Sequence, residues 1–325
     1  MISVIVVTYN QEETIARALD SILMQKCSHP YEIVIGEDCS TDSTADVCRE
    51  YARRHADRIR LFCNEHNKGL IDNYYDCLLQ CRGKYIADCA GDDFWTDELK
   101  LQKEADLLEA DPTVSLVHTA WMRYDETTGK TTPADSPFTA PITAGKDLLP
   151  SIITQTSQTV IHLCSALYRR DIIMQAYQAD TFLFRNKAFG CEDMQVCAVM
   201  AHEGNIAFLA EPTLCYSVGH ESVSIPHAPE ALFRFVEGVA SLSFYLARKY
   251  HVDHALVGRH FSFRLYELSM HAFRAHSVEL RKKVWEYKKA WGAKADWRTR
   301  LINIITSNEG SWLLALRLRS LLKHR

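Results

Sequence analysis

No stretch of this 325-residue chain strings together the roughly 18 apolar residues that a membrane-spanning helix needs. Its opening, Met1-Ile-Ser-Val-Ile-Val-Val, lacks the basic n-region of a secretory signal, so a cytoplasmic protein is expected. The eleven cysteines contain no CxxC pair, are odd in number and are scattered, several of them in apolar segments (Cys27, Cys63, Cys197, Cys215). That excludes a zinc cage or a disulfide scaffold and predicts reduced, buried thiols. Proline stops at Pro229: Ala231 to Arg325 has none, and its glycines (Gly238, Gly258, Gly292, Gly310) are isolated. Helical periodicity takes over there, and a domain boundary is expected near residue 226, dividing residues 1–226 from a mainly helical region, 227–325. No internal repeat or low-complexity tract appears.

What the chain does have is 47% hydrophobic residues, enough for one large core or two modest ones, and an uneven charge. From Leu246 to Arg325 there are 17 Lys and Arg against 6 Asp and Glu, a balance of +11, so the net −4 leaves −15 for the first 245 residues. The basic region is a separate electrostatic object, open to anionic lipid, nucleic acid or the acidic front half.

Ile2 to Thr8 is an apolar, β-branched run, as expected of a strand buried on both faces of a parallel sheet. Asn10 is read as the N-cap of a helix carrying the stripe Ile15, Leu19, Ile22, Leu23. The pattern repeats with strands Tyr31 to Gly36, Ile59 to Cys63 and Lys84 to Asp88, and with helices from about Ser43 to His55 and from about Leu70 to Cys81. Leu116 to Tyr124 reads as a fifth strand, Asp125 to Thr143 as a loop, and Leu167 to Arg170 as a strand end. A helix over Glu192 to His202 and strands near Ile206 to Leu209 and Thr213 to Val218 complete the domain. Strands alternating with helices predict an α/β domain with a mostly parallel sheet and right-handed crossovers.

Ligands of such sheets sit beyond the carboxyl ends of the strands. Every polar cluster of the front half falls at one of these ends: Thr8, Tyr9 and Asn10; Asp38 to Asp42; Asn67 to Gly69; Asp92 and Asp93. Two adjacent carboxylates repel unless a cation or a strong donor offsets them, and hard oxygen ligands with substrate phosphates suit Mg2+ or Mn2+. The competing explanation for Asp92 and Asp93 is a solvated turn ahead of a helix. For Asn67 and Gly69 the competing explanation is a plain turn.

Val6-Val-Thr-Tyr-Asn, Gly36-Glu-Asp-Cys-Ser-Thr-Asp, Asn67-Lys-Gly, Arg82-Gly-Lys-Tyr-Ile, Gly91-Asp-Asp-Phe-Trp and Cys191-Glu-Asp-Met, in this order, resemble the motifs of a family 2 inverting glycosyltransferase with the GT-A fold. That fold is a Rossmann-like α/β sheet flanked by helices, here with a C-terminal helical extension. The resemblance spans about residues 1–225. It implies that Thr8, Tyr9 and Asn10 frame the nucleotide base, that Asp38 accepts from base or ribose, and that Asn67 and Gly69 let the backbone approach the donor. It further implies that Asp92 coordinates a cation bridging the two phosphates, with Asp93 on the sugar or a metal-bound water. The family's fuller motif has an acid two positions before Asp92, where this chain has Ala90, which removes one oxygen contact. Asp193 would be the general base that takes the acceptor's proton. His220 resembles a late histidine that reaches metal or diphosphate.

The implied reaction moves a hexose or N-acetylhexosamine from a nucleotide diphosphate donor, UDP-linked by preference, to a glycan or lipid-linked glycan in cell-surface polysaccharide assembly. Trp312-Leu-Leu-Ala-Leu-Arg-Leu-Arg-Ser-Leu-Leu-Lys-His-Arg presents leucines and a tryptophan with basic groups between them. Such a helix suits the inner face of an anionic membrane, and the alternatives are packing on its own domain or on a second subunit. Two other function classes compete. A nucleotidyltransferase would carry a Gly-rich, Lys-bearing loop after the first strand, and Thr8-Tyr-Asn-Gln-Glu is not one. A nucleic-acid-binding module would use the basic region, which lacks a recognition motif, so no nucleic-acid partner is expected.

Overall fold

The computed structural model describes residues 1–155, 160–219 and 228–323. The chain forms two compact units, one of Met1–Lys187 with Cys191–His220, the other of Glu221–Arg325 with Ala188–Gly190. The boundary expected near residue 226 falls outside the described residues, as does His220.

The first unit opens with β1 (Ile2–Thr8), α1 (Ile15–Leu23), β2 (Tyr31–Glu37), α2 (Thr44–Arg54), β3 (Ile59–Cys63), α3 (Leu70–Gln80) and β4 (Tyr85–Asp88). Pairing runs β3-β2-β1-β4, all parallel, with Val4 opposite Ile33 and Ala87. Every residue of β1 except Val7 is buried, which explains its unbroken apolar reading. Helix α1 sets Ile15, Ala18, Leu19 and Ile22 against the sheet at helical spacing.

The remainder of the unit comprises β5 (Phe94–Trp95), α4 (Lys100–Ala110), β6 (Val114–Asp125), β7 (Lys130–Pro133), β8 (Ile142–Thr143), α5 (Gly145–Thr154), β9 (Ala166–Arg169), α6 (Arg170–Ala179), α7 (Thr181–Arg185), α8 (Asp193–Glu203) and β10 (Asn205–Val218). Strand β9 enters antiparallel between β4 and β6, so the sheet is mixed from there on, and β6 and β10 are parallel to each other.

Several expectations are corrected. Asp125 to Thr143 is not a plain loop, because β7 returns along β6 and β8 pairs with β10. The two strands expected over 206–218 are one, broken in register between Leu209 and Leu214, where Pro212 has no N–H for the ladder. An N-cap role for Asn10 does not hold either: α1 starts at Ile15, and Asn10 sits in the left-handed region at φ 52°. All eleven cysteines are free, but Cys63 is exposed rather than buried.

The second unit contains α9 (Pro229–Lys249), α10 (His254–Arg274), α11 (Val278–Ala290), α12 (Trp297–Ile305) and α13 (Glu309–Lys323). Helix α10 is its hub, packing on α9, α11 and α12 and burying Val257, Phe261, Leu265, Leu268 and Ala272 along one stripe. No described helix is long and apolar enough to cross a membrane.

Candidate functional site

The carboxyl ends of β1, β2 and β4 are tied together by backbone hydrogen bonds at the end of β1. The Val7 carbonyl accepts from Gly91 N–H at 3.2 Å, and the next carbonyl, of Thr8, accepts from Asp38 N–H at 3.0 Å. The turn that delivers Asp92 and Asp93 thus hangs beside the loop that begins at Asp38. Gly91 is tight against β1: a Cβ there would crowd Gln11 Oε1 and stand 2.8 Å from Thr8 Oγ1, so a side chain would require Gln11 and Thr8 to shift. Thr8 is buried and donates to Gln11 Oε1 at 2.8 Å, while Thr14 Oγ1 donates to the Gly91 carbonyl at 2.9 Å.

The first two loops are laced to each other. Asn10 Oδ1 accepts from Thr41 N–H at 2.8 Å, Asn10 N–H donates to Ser40 Oγ at 3.0 Å, and Gln11 N–H donates to Thr44 Oγ1 at 2.7 Å. These bonds account for the strained backbone at Asn10. Tyr9 stands exposed between them.

Asp38 is buried, and both its oxygens are engaged by the third loop: Oδ1 accepts from Asn64 Nδ2 at 2.8 Å and Lys68 N–H at 2.9 Å, Oδ2 from Gly69 N–H at 2.8 Å. The carboxylate therefore shapes the 64–69 loop. Gly69 enters α3 at φ +83°, a conformation that favours glycine, and Asn67 is exposed on the same loop.

Asp92 and Asp93 separate in environment. Asp92 is half-buried, and its carbonyl accepts from Ser217 Oγ at 2.7 Å and Arg17 Nη2 at 3.1 Å. Asp93 is buried and accepts from Ser217 N–H at 3.0 Å. Burial, and next the charge of Asp92, push the Asp93 carboxyl well above the usual range. Arg17 also pairs with Glu126 and lies over the Phe94 ring, 4.4 Å from its centroid. An imidazole nitrogen of His162, the Cys164 sulfur and an Asp93 carboxylate oxygen lie within 4.8 Å of one another. Burial lowers His162 to about 4, and its Nδ1 has no partner among the described residues. One carboxylate, a neutral imidazole and a thiol thus stand within reach of a single ion, a donor set that fits a divalent cation, while the Asp92 carboxylate is not among the three.

Asp193 heads α8, where its Oδ1 accepts from Met194 N–H at 2.7 Å; burial raises its carboxyl, and burial with the Asp193 charge raises Glu192 to about 8. The link between this pair and the Gly91 turn is Tyr216. Its phenol is pushed up to about 12, first by burial and then by the charges of Asp93, Asp92, Cys164 and Asp193. The Tyr216 phenol is thus within electrostatic reach of both the fourth-strand turn and the head of α8.

Several residues here carry no role in the motif-based reading: Arg17, Ser217, Tyr216, His162 and Cys164. Arg17 alone left a trace, as the one cation in the otherwise apolar and small α1 sequence IARALDSIL.

Comparison with known proteins agrees with this architecture. Residues 3–176 match the model of the family "Glycosyl transferase family 2", so the chain belongs to that family. An uncharacterized Mycobacterium bovis protein, Mb1547, is 34% identical over 205 residues, 61% of this chain and 57% of that protein. The putative glycosyltransferase EpsE of Bacillus subtilis is 36% identical over 125 residues, 38% of this chain and 44% of EpsE. WfgD of Escherichia coli, a UDP-Glc:alpha-D-GlcNAc-diphosphoundecaprenol beta-1,3-glucosyltransferase, is 31% identical over 103 residues, 31% of this chain and 39% of WfgD. The chain thus spans less than two thirds of each of these curated relatives.

Among solved structures, residues 1–349 of S. aureus TarS in complex with UDP-GlcNAc superimpose with a TM-score of 0.59 at 16% identity, covering 94% of this chain and 88% of that one. The mannosyltransferase PcManGT of Pyrobaculum calidifontis, in complex with GDP-Man and Mn2+, gives 0.52 at 18%, covering 100% and 88%. The fold is that of the GT-A glycosyltransferases.

Proposed function

We propose that this glycosyltransferase is an inverting enzyme that moves a hexose or N-acetylhexosamine from a UDP-linked donor to a glycan or lipid-linked glycan, with Mg2+ or Mn2+ at Asp92 and Asp93. The observation that carries the reading is the gathering of ligand atoms of Asp93, His162 and Cys164 within 4.8 Å of one another at the turn tied to the ends of β1 and β2, with the Tyr216 ring centroid 4.6 Å from that of His162. On this reading, carboxylates suited to a cation and a carboxylate suited to a base serve one reaction centre. Asp193, raised by burial, takes the acceptor hydroxyl's proton as that oxygen attacks the anomeric carbon. A divalent cation supplies charge neutralisation at the departing diphosphate. Thr8, Tyr9 and Asn10 line the base, and Asp38 contributes by fixing the 64–69 loop, with Asn67 and Gly69, around the nucleotide.

TarS carries UDP-GlcNAc and PcManGT carries GDP-Man with Mn2+, while the name of WfgD specifies UDP-Glc and a diphosphoundecaprenol-linked acceptor. These ligands support a nucleotide-sugar donor and an acceptor met at a membrane surface. The test is thermal-shift screening of nucleotide sugars with and without Mn2+, followed by donor hydrolysis and transfer. Asp92→Ala and Asp193→Ala are each expected to lower turnover by about 10²–10⁴-fold, with the Mn2+-dependent UDP shift lost only in Asp92→Ala. Undiminished turnover in both rejects the assigned roles.

A further inference from the structure

The helical unit contains a cavity of about 390 Å3 whose lining includes His254, Arg259, Ser262, Lys294, Asp296 and Arg298. Arg298 is already neutralised, its Nε donating to Asp296 at 2.9 Å and its guanidinium lying 4.1 Å from the Tyr266 ring centroid. Arg259 and Lys294 are exposed and form no ion pair among the described residues. Two positive charges therefore border a concave surface without an ion-pair partner among the described residues.

Apolar groups that ought to be covered flank the same cavity. Trp297, between the lining residues Asp296 and Arg298, is 72% exposed, and Leu256, between Ala255 and Gly258 of the lining, is 62% exposed. Trp297, Leu301 and Ile304 recur one helical turn apart along α12, all exposed, and Leu314, Leu318 and Leu321 do the same on α13. Trp312 packs inward on its own unit, one of the alternatives the sequence left open, its Nε1 donating to the Phe273 carbonyl at 3.0 Å. The exposed stripes lie in the region where Lys and Arg outnumber Asp and Glu 17 to 6.

We propose that this surface docks on an anionic phospholipid bilayer, with Arg259 and Lys294 holding a lipid phosphate at the cavity and Trp297 resting among the headgroups. Indole prefers that boundary, where its ring is in apolar surroundings and its N–H stays wet, and the aliphatic stripes bury shallowly beside it. Basic side chains near such a surface gain from its negative potential. An anionic bilayer satisfies charge and apolar area together, which a free phosphate or a purely apolar partner would not. The inference extends the reading of a membrane-borne acceptor, but it stands on surface features outside the transferase site, and its test involves no sugar transfer.

The experiment is flotation of the full chain with vesicles of phosphatidylcholine alone or mixed with phosphatidylglycerol, at low and high salt. The unaltered protein is expected to float with the mixed vesicles at low salt, to be released at high salt and to stay soluble with phosphatidylcholine alone. Arg259→Gln with Lys294→Gln is expected to weaken partitioning about fivefold per charge, roughly 30-fold for the pair. Trp297→Ser is expected to weaken it about tenfold, with circular dichroism unchanged. Equal recovery in the soluble fraction with both vesicle types overturns the proposal, as does flotation that none of these substitutions reduces. A dimer that Trp297→Ser dissolves, without vesicle binding, also overturns it and assigns the stripes to a second copy. In each of those cases an intact UDP-dependent thermal shift leaves the transferase reading standing.

Discussion

The two units handle charge and apolar surface in opposite ways. Among the described residues, the sheet unit buries six carboxylates, Glu32, Glu37, Asp38, Asp88, Asp93 and Glu104, and one ammonium, Lys100. The described residues of the helical unit bury no Asp, Glu, Lys or Arg at all, only Ser243, His260, Ser269, Thr299 and Thr306 among polar side chains. Yet that unit leaves Leu256, Val278, Trp297, Leu301, Ile304, Leu313, Leu314, Leu318 and Leu321 exposed. Burying carboxylates costs solvation that a fold meets with donors or cations, here Arg60 at Glu32, Lys100 at Glu104 and three N–H donors at Asp38, while Asp93 is buried within the candidate site. Exposed apolar stripes belong on surfaces that something else covers. The contrast separates a unit organised around a reaction from one organised around an attachment.

The strongest way to break this comparison is at Lys100. Its Nζ lies 2.6 Å from Glu104 Oε2, both side chains are fully buried, and the ammonium stands 4.7 Å from the Trp95 ring centroid. Removing one partner of such a pair strands the other, so Lys100→Met is expected to cost about 3–5 kcal/mol in urea unfolding. Lys100→Met with Glu104→Leu is expected to recover most of that loss, since a packed apolar pair replaces both charges. A single-variant cost below about 1 kcal/mol, typical of surface pairs, would mean that the sheet interior is wetter than its burial indicates.

Asp88 sharpens the comparison through pH. The nearby Tyr74 and Tyr168 hydroxyls are bonded to each other at 2.9 Å and stop short of hydrogen-bond geometry with the Asp88 oxygens, so their opposing pull is the lesser one and burial raises the carboxyl to about 7. The folded state holds this proton more tightly than the unfolded chain, whose carboxyl titrates near 3.8. The resulting stabilisation is complete below pH ~4 and is lost as pH rises to about 7, at a slope approaching ~1.4 kcal/mol per pH unit. Asp88→Asn is expected to flatten that decline in urea midpoints measured from pH 4 to 8. Identical slopes for the two proteins would show that Asp88 is solvated or paired.

Legibility from sequence follows the same division. The first strand was readable because a parallel strand buried on both faces is an apolar run that stops where the loop begins, as Ile2 to Thr8 does, while the edge strand Ile59 to Cys63, buried only at Ile59, was marked by Ile59, Leu61 and Phe62 alone. Strand β9 gave too little to fix its partners: four residues, Ala166 to Arg169, cannot announce that they run antiparallel between β4 and β6. The bulge at Pro212 likewise split one strand into two apolar runs. At the site, Asp92, Asp93 and Asp193 were visible as acids at element ends, whereas Ser217 touches Arg17 across 200 residues and carries no local signature. In the last helix the period was readable but its direction was not. Trp312 turns inward and the leucines outward because the Phe273 carbonyl offers the indole a partner.

The smallest effect tests how helices end in each unit. At α1 to α6 and α8 of the sheet unit the N-cap residue itself makes no side-chain cap bond, and first-turn N–H groups are met from other positions, as by Asp42 at Thr44, Gln25 at Leu101 and Asp193 at Met194; α7 alone is capped by its N-cap residue, Asp180. In the helical unit α10, α11 and α12 are each capped, by Asp253 to Ala255 N–H at 2.9 Å, Ser277 to Leu280 N–H at 3.2 Å and Asp296 to Thr299 N–H at 2.8 Å. Helix α9, whose N-cap residue is Ala228, has no such bond, so the local caps of the helical unit are concentrated on α10 to α12. Asp253→Ala is therefore expected to lower stability by about 1 kcal/mol, and Asp253→Asn, which keeps the acceptor oxygen, by only a few tenths. Equal losses for the two would assign the effect to the charge of Asp253 at the helix N-terminus rather than to its hydrogen bond.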